Sequence, residues 1–298
     1  MKKLLNWFKN RYKTISRLLR LFNTDNGMTL AGALSFYFLL SILPLSLLAL
    51  SVLGYVFGSE KAALSVVTTL GKIGKTLPRG AFDIEAVLSQ LISGRNVFGG
   101  LAIVLLLWFS TGVFYTIEVA LNKIFATGKK RGFFQRTAVV YLMMLIAGGI
   151  LVLSITITTV AVIVSDLSVS ILGFNPSEIP FLWSMFFSLV PPALMMLMFS
   201  IIYKVGPSIK VSWKASFKGG LFAAVLWEIS RRFFGYYLSN FAVYNKLYGA
   251  LGTVVALFIW IFYTANIFLI GAEYTRISNE RKERDISMHK MKQLNTED

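Results

Sequence analysis

The sequence predicts an all-α, polytopic integral membrane protein with six transmembrane helices. Of its 298 residues, 56% are hydrophobic, and the mean hydropathy is +0.67, values typical of membrane proteins. Each of six apolar runs reaches the length of about 20 residues that an α-helix needs to cross the hydrocarbon core. The runs cover approximately residues 29–58, 98–121, 138–164, 179–203, 216–240 and 249–274. The membrane class therefore applies to the whole chain.

The positive charge of the links predicts the direction of each span. Four segments are rich in Lys and Arg. The basic residues are Lys2, Lys3, Lys9, Arg11, Lys13, Arg17 and Arg20 before the first run, and Lys123, Lys129, Lys130, Arg131 and Arg136 in the second link. They are Lys204, Lys210, Lys214 and Lys218 in the fourth link, and Arg276, Arg281, Lys282 and Arg284 in the tail. The third link has no basic residue, and the fifth has only Lys246. Short basic loops stay in the cytoplasm, so both termini are predicted to be cytoplasmic.

The polar ends of the chain define its predicted organisation. Apolar residues such as Leu4, Trp7 and Leu18 recur at helical spacing between basic residues, which predicts an N-terminal amphipathic helix in the cytoplasmic interface. In the first outer loop, residues 59–97, we expect two short amphipathic helices on either side of Pro78. Three segments follow: a cytoplasmic interfacial segment at 1–28, a six-helix transmembrane domain at 29–275, and a basic polar cytoplasmic tail at 276–298.

The net charge of +16 is spread over all the cytoplasmic links. This spread fits contact with an anionic inner leaflet, and it predicts membrane lipids, not specific nucleic acid, as partners. The chain has no cysteine, and its single histidine, His289, lies in the polar tail. We therefore expect no catalytic site, no metal site and no cofactor, and a protein that is not an enzyme. Whether it forms a homo-oligomer is left open.

Polar residues within the apolar runs indicate a candidate substrate groove, because such residues usually face a protein interior or a wet cavity. Tyr115, Glu118 and Asn122 share one face of the second span, and Glu228 can pair with Arg231 on the fifth. The alternatives are a structural ion pair and side chains that anchor helix ends. The full candidate set is Tyr37, Ser41, Tyr115, Glu118, Asn122, Glu228, Arg231, Tyr263, Asn266 and Glu273.

Three stretches resemble motifs of the YihY/BrkB family of bacterial inner-membrane proteins. They are Ala33-Leu34-Ser35-Phe36-Tyr37 with Leu40-Ser41-Ile42-Leu43-Pro44, Glu118-Val119-Ala120-Leu121-Asn122-Lys123-Ile124, and Tyr244-Asn245-Lys246-Leu247-Tyr248-Gly249-Ala250-Leu251-Gly252 with Trp260 and Leu269-Ile270-Gly271-Ala272-Glu273. The resemblance implies six helices, cytoplasmic termini and a multi-pass location in a bacterial inner membrane. Roles proposed for the family include virulence, transport and lipid translocation, and a tRNA-nuclease label has also been used.

Three functions are compatible with these features. The first is a transporter or flippase-like protein that moves an amphiphilic or lipid-linked anionic substrate through a polar groove. It is favoured by the polar seams and by basic links that can collect anionic headgroups. The second is an ion- or proton-coupled carrier of a small solute, with Glu118 or Glu228 as the titrating group. The third is a membrane scaffold that transports nothing.

The predicted topology can be tested by cysteine labelling, since the chain has no cysteine of its own. A cysteine introduced at Ser65 or Ser89, in the first outer loop, should react with an impermeant reagent in intact cells. A cysteine at Thr127, in a cytoplasmic link, should react only after the cells are opened. The reverse pattern would contradict the predicted orientation.

Overall fold

The computed structural model describes residues 2–57, 95–128, 131–166, 180–240 and 242–297. These residues form seven α-helices: α1 (Lys2–Thr24), α2 (Gly27–Phe57), α3 (Arg95–Ile124), α4 (Phe133–Asp166), α5 (Pro180–Val205), α6 (Trp213–Asn240) and α7 (Ala242–Glu297). No strand occurs in the described part of the chain. Each predicted span coincides with one of the helices α2 to α7, so the all-α prediction is confirmed. The amphipathic helices predicted in the first outer loop fall on 58–94, outside the described residues.

Four segments of these helices are long and apolar enough to cross a membrane: Gly27–Leu45, Gly100–Ile124, Phe133–Val160 and Val255–Lys282. A fifth, Leu189–Val205, is apolar but shorter. The helix α6 is not among them, and it carries Glu228, Arg231 and Arg232. Membrane insertion is therefore supported within the described residues, whereas the count of six spans remains a prediction.

Two helix ends are shaped by residues in the left-handed region. After α3, the Thr127 N–H donates to the Asn122 carbonyl (3.1 Å) and the Ala126 N–H to the Lys123 carbonyl (3.0 Å), a Schellman arrangement. Ala126 takes the left-handed position with φ of 49°. After α1, Asn26 has φ of 56°, which allows α2 to begin at the next residue. Each of these two helices thus ends within one or two residues of a left-handed position.

The described chain divides into two compact units. The first unit comprises Met1–Leu30, Phe114–Ser230 and Asn266–Asp298, and the second comprises Ala31–Val113 and Arg231–Ala265. The first unit thus contains the links that the charge pattern assigns to the cytoplasm. The second contains most of α2 and the N-terminal parts of α3 and α7.

Glycines on α6 allow three helices of the first unit to approach closely. A Cβ on Gly219 would lie 1.7 Å from Thr275 Oγ1 and 2.9 Å from the Gly271 carbonyl of α7. A Cβ on Gly220 would lie 2.1 Å from Ser200 Oγ of α5. Small residues at such contacts give packing energy in a membrane, where no hydrophobic effect drives helices together.

Buried aromatic residues complete this contact between α5 and α7. The side chain of Tyr203 is fully buried, and its hydroxyl donates to the Phe268 carbonyl at 2.6 Å. Phe199 and Tyr203 both pack against the Phe268 ring, with centroids 5.6 and 5.2 Å away. Hydrocarbon would offer this hydroxyl no partner, so the backbone carbonyl satisfies it.

In the second unit, Tyr37 of α2 packs on α3 at a glycine. A Cβ on Gly112 would lie 2.6 Å from Tyr37 Cδ1, so the tyrosine ring occupies the space that a side chain would need. Elsewhere in this unit, the rings of Phe234 and Trp260 stack with centroids 4.8 Å apart. Both contacts join helices through aromatic faces.

Helix α1 packs on the polar extension of α7 in the first unit. Leu18 and Thr14 are buried, and the Thr14 hydroxyl accepts a hydrogen bond from Arg281 at 2.7 Å. Ile15 and Leu19 are each 57% exposed, which leaves an apolar strip on α1. Such a strip is what an interfacial helix presents to lipid. The helix α7 itself continues through the segment predicted as a polar tail.

Replacing Gly219 with alanine should destabilise the folded protein, because the new methyl group has no room between α6 and α7. Forced overpacking of this kind costs about 1–3 kcal/mol. The matched control is Gly148→Ala on α4, where nothing lies within 4 Å of the place that the new methyl group would take. That substitution should be neutral or stabilise by up to about 1 kcal/mol. Thermal unfolding in detergent measures both, and equal melting temperatures would contradict the packing assignment.

Candidate functional site

Glu118, near the C-terminal end of α3, is the centre of a buried polar cluster in the first unit. Its side chain is 3% exposed. Arg136 Nε donates to Glu118 Oε2 at 2.8 Å, and Arg131 Nη1 lies 4.0 Å from Oε1. A buried carboxylate is stable when cations and donors of this kind compensate its lost hydration. Glu118 is therefore neutralised by Arg131 from the link between α3 and α4 and by Arg136 from the first turn of α4.

Arg131 also closes the end of α5. Its guanidinium donates to the carbonyls of Val205 (3.0 Å), Gly206 (2.6 Å) and Pro207 (2.6 Å). Carbonyls at a helix C-terminus lack partners within the helix, and a cation there also interacts favourably with the helix dipole. Burial lowers the pKa of Arg131, while Glu118 opposes this shift. An arginine remains protonated at neutral pH, so Arg131 keeps its positive charge at the end of α5.

Asn122 joins the carboxylate to the neighbouring links. Its Nδ2 donates to Glu118 Oε1, and its Oδ1 accepts from the Ser208 N–H at 2.7 Å. The same oxygen accepts from Thr127 Oγ1 at 3.2 Å. The spacing of four residues between Glu118 and Asn122 places both on one face of α3. The amide thereby ties α3 to the link between α5 and α6.

Arg136 is the part of this cluster that remains accessible. Its guanidinium carbon lies 3.8 Å from the centre of the Tyr115 ring, a cation–π contact. Its side chain is 29% exposed, whereas that of Arg131 is 18% exposed. Tyr115 is itself 46% exposed. The cluster thus holds one guanidinium in a fixed position at its surface.

The other predicted groove residues are distributed over both units. Tyr37, Ser41, Arg231 and Tyr263 belong to the second unit, and Glu228, Asn266 and Glu273 to the first. The Ser41 hydroxyl donates to the Tyr37 carbonyl of its own helix at 2.9 Å. Glu228 and Asn266 are half-buried, Arg231 and Tyr263 are exposed, and Glu273 is buried. The structure therefore brings together Tyr115, Glu118 and Asn122; a single groove for the whole set, and a Glu228–Arg231 pair, remain predictions.

Sequence reasoning missed Arg131 and Arg136 as site residues, because they were interpreted only as topology charges. It also missed a second cluster, in which Arg276 Nη1 pairs with Asp25 at 3.0 Å and Arg276 Nε with Glu280 at 3.1 Å. One signal was available: in an apolar helix, a carboxylate followed by a short link with five basic residues suggests an ion pair. The partners of Asp25 lie too far along the chain for any local pattern to reveal them.

The Glu118–Arg136 pair should contribute strongly to stability. Removing one member of a buried pair costs about 3–5 kcal/mol, and less where one side chain is partly exposed, as Arg136 is. Glu118→Gln and Arg136→Gln should therefore each lower the free energy of unfolding, and the double variant should lose less than the sum. The control is Arg17→Gln, which breaks only the exposed pair with Glu280 (39% and 32% exposure) and should cost at most about 1 kcal/mol. Strict additivity in the double-variant cycle would contradict the pairing.

The chain matches the family model described as virulence factor BrkB over residues 18–294. Among its relatives, a UPF0761 membrane protein of Pseudoalteromonas translucida is 29% identical over 276 residues, 92% of this chain and 89% of the relative. A UPF0761 membrane protein of Alteromonas mediterranea is 27% identical over 253 residues, 84% of this chain and 82% of the relative.

A Bacillus subtilis relative, YfkH, carries a ribonuclease-like name and is 25% identical over 273 residues, 90% of this chain and 96% of the relative. No solved structure matches the chain significantly. The family match covers α2 to α6 in full, α7 up to residue 294 and only the last seven residues of α1. The chain therefore belongs to the virulence factor BrkB family of membrane proteins.

Proposed function

We propose that the protein is a non-enzymatic transporter of the flippase type, which moves an anionic amphiphile or lipid-linked anion across the membrane. The observation that carries this proposal is Arg136, a guanidinium held by Glu118 and Tyr115 with part of its side chain still exposed. A cation fixed in this way can contact a headgroup without first losing side-chain freedom.

The hydrogen-bonding capacity of Arg136 supports an anionic ligand. Its Nε is used on Glu118, and its terminal amino groups donate to no other side chain among the described residues. Two such amino groups match the oxygens of a phosphate or carboxylate. The terminal amino groups of Arg131, by contrast, already donate to three backbone carbonyls. Arg136 is therefore the headgroup contact in this proposal.

The surroundings of Arg136 favour a ligand with acyl chains over a small solute. Phe133 and Phe134, at the start of α4, are 76% and 86% exposed and lie within three residues of Arg136. Tyr115, whose ring lies against the Arg136 guanidinium, is also exposed. Aromatic side chains of this kind favour the boundary between headgroups and acyl chains. The cation thus lies beside apolar surface.

Other basic residues extend the positive surface of the first unit. Lys123, Lys210, Lys214 and Lys218 are exposed at helix ends and links that the charge pattern assigns to the cytoplasm. Each exposed Lys near an anionic leaflet attracts it by about 1 kcal/mol. Together they would concentrate anionic lipid where Arg136 can bind it. Loading from the cytoplasmic leaflet is therefore part of the proposal.

The proposal predicts that the reconstituted protein accelerates movement of a labelled phosphatidylglycerol between leaflets more than that of a labelled phosphatidylcholine. Arg136→Gln should slow the anionic lipid about tenfold, since a hydrogen bond to a charged group contributes about 1.5–3 kcal/mol. Arg136→Lys keeps the charge but loses the two parallel donors of the guanidinium. Its rate with the anionic lipid should therefore lie between those of the wild type and Arg136→Gln.

The control is Lys282→Gln, which removes one exposed charge from α7 and should leave the rate unchanged. Thermal unfolding shows whether each variant is folded. Equal rates for both lipids would contradict headgroup selection by Arg136. Solute flux without lipid movement would favour the small-solute carrier, and folded protein without any flux would favour the scaffold.

A further inference from the structure

Glu273 on α7 is a buried carboxyl group without a compensating contact. Its exposed fraction is 0%, and neither of its oxygens has a hydrogen-bond partner among the described residues. Glu118 is buried almost as deeply, but it has two arginines and an amide against it. An ionised carboxylate in the position of Glu273 would lose its hydration and gain little in return.

The charges around Glu273 are already balanced without it. The groups that act on it are Asp25, Arg276 and Glu280. Arg276 binds both Asp25 and Glu280, and Glu280 also binds Arg17. Among the described residues, Arg276 is the cation that acts on Glu273, and it is shared with Asp25 and Glu280. A further negative charge at Glu273 would be repelled by both of these carboxylates.

A proton resolves this imbalance. Protonated Glu273 carries no charge and has one O–H group to donate. The acceptor beside it is the Asp25 carboxylate, whose Oδ2 already accepts from Arg276 Nη1 at 3.0 Å. Two carboxyl groups that cannot both ionise commonly hold one proton between them.

We propose that Glu273 and Asp25 form a proton-binding site that joins α7 to the turn between α1 and α2. When the proton leaves, two carboxylates face each other across this contact, and α7 is pushed away from the turn. The link from Arg276 through Glu280 to Arg17 is attached to the same segment of α7, so it loosens with it. The contact between α7 and this turn is thus closed when the proton is bound and open when it is lost, whatever substrate the protein carries.

Infrared spectroscopy tests the bound proton directly, on the full chain in detergent or lipid. At about pH 7 the wild type should show the carbonyl stretch of a protonated carboxylic acid, because exposed glutamates are ionised there. Glu273→Gln should abolish this band. The matched control is Glu118→Gln, which removes a buried carboxylate that has arginine partners. In protein that thermal unfolding shows to be folded, this variant should leave the band in place. A band that persists in Glu273→Gln overturns the proposal.

The pH dependence of stability gives a second test. The folded chain holds a proton that the unfolded chain releases at neutral pH, so the wild type should lose stability as the pH rises. Between about pH 6 and about pH 9 its melting temperature should fall by roughly a few degrees more than that of Glu273→Gln, which stays neutral. Glu273→Leu, also neutral, serves if the glutamine variant folds poorly. Parallel curves for the wild type and the neutral variants overturn the proposal.

Discussion

Hydrocarbon supplies no hydrogen-bond partners, so every polar group at membrane depth must find one within the protein. Several hydroxyl groups of the spans follow this constraint: Ser35, Thr111, Thr156, Thr158 and Ser200 each donate to the carbonyl four residues earlier in the same helix. Tyr203, too long for that, uses the Phe268 carbonyl of another helix. The Thr264 hydroxyl is an exception, with no partner among the described residues. The same constraint then governs the glutamates, because an ionised carboxylate is an acceptor only and cannot bind a carbonyl.

Two buried glutamates, Glu118 and Glu273, meet this need for a partner within the protein in different ways. Glu118 receives Arg131 from the link that follows its own helix and Arg136 from the first turn of α4, and it holds Arg136 in place. Glu273 shares the cation Arg276 with Asp25 and Glu280, and in our proposal a proton neutralises it. If both proposals hold, an arginine keeps the first site rigid, while an exchangeable proton lets the second respond to pH. The first unit would then combine a fixed anion-binding surface with a pH-dependent helix contact.

The helices α2 to α7 were predictable because the length of an apolar run is a local property of the chain. The grouping of Glu118 with Asn122 was predictable for the same reason, since helical periodicity sets it. The role of Arg131 was not, because its acceptors lie about 75 residues away and the contact exists only after folding. The proximity of Asp25 to Arg276 spans 251 residues. What depends on local pattern was accessible to the sequence, and what depends on helix packing was not.

The Arg131 side chain has two separate roles, one set by its charge and one by its shape. During membrane insertion only its charge matters, because orientation depends on the number of Lys and Arg residues in a short loop. In the folded protein its planar fork matters, because three carbonyls at the end of α5 accept from it. A lysine would satisfy the first demand and fail the second. An Arg131→Lys substitution would therefore keep the charge that guides insertion but lose contacts at the end of α5. Its defect would arise only when the inserted helices pack together.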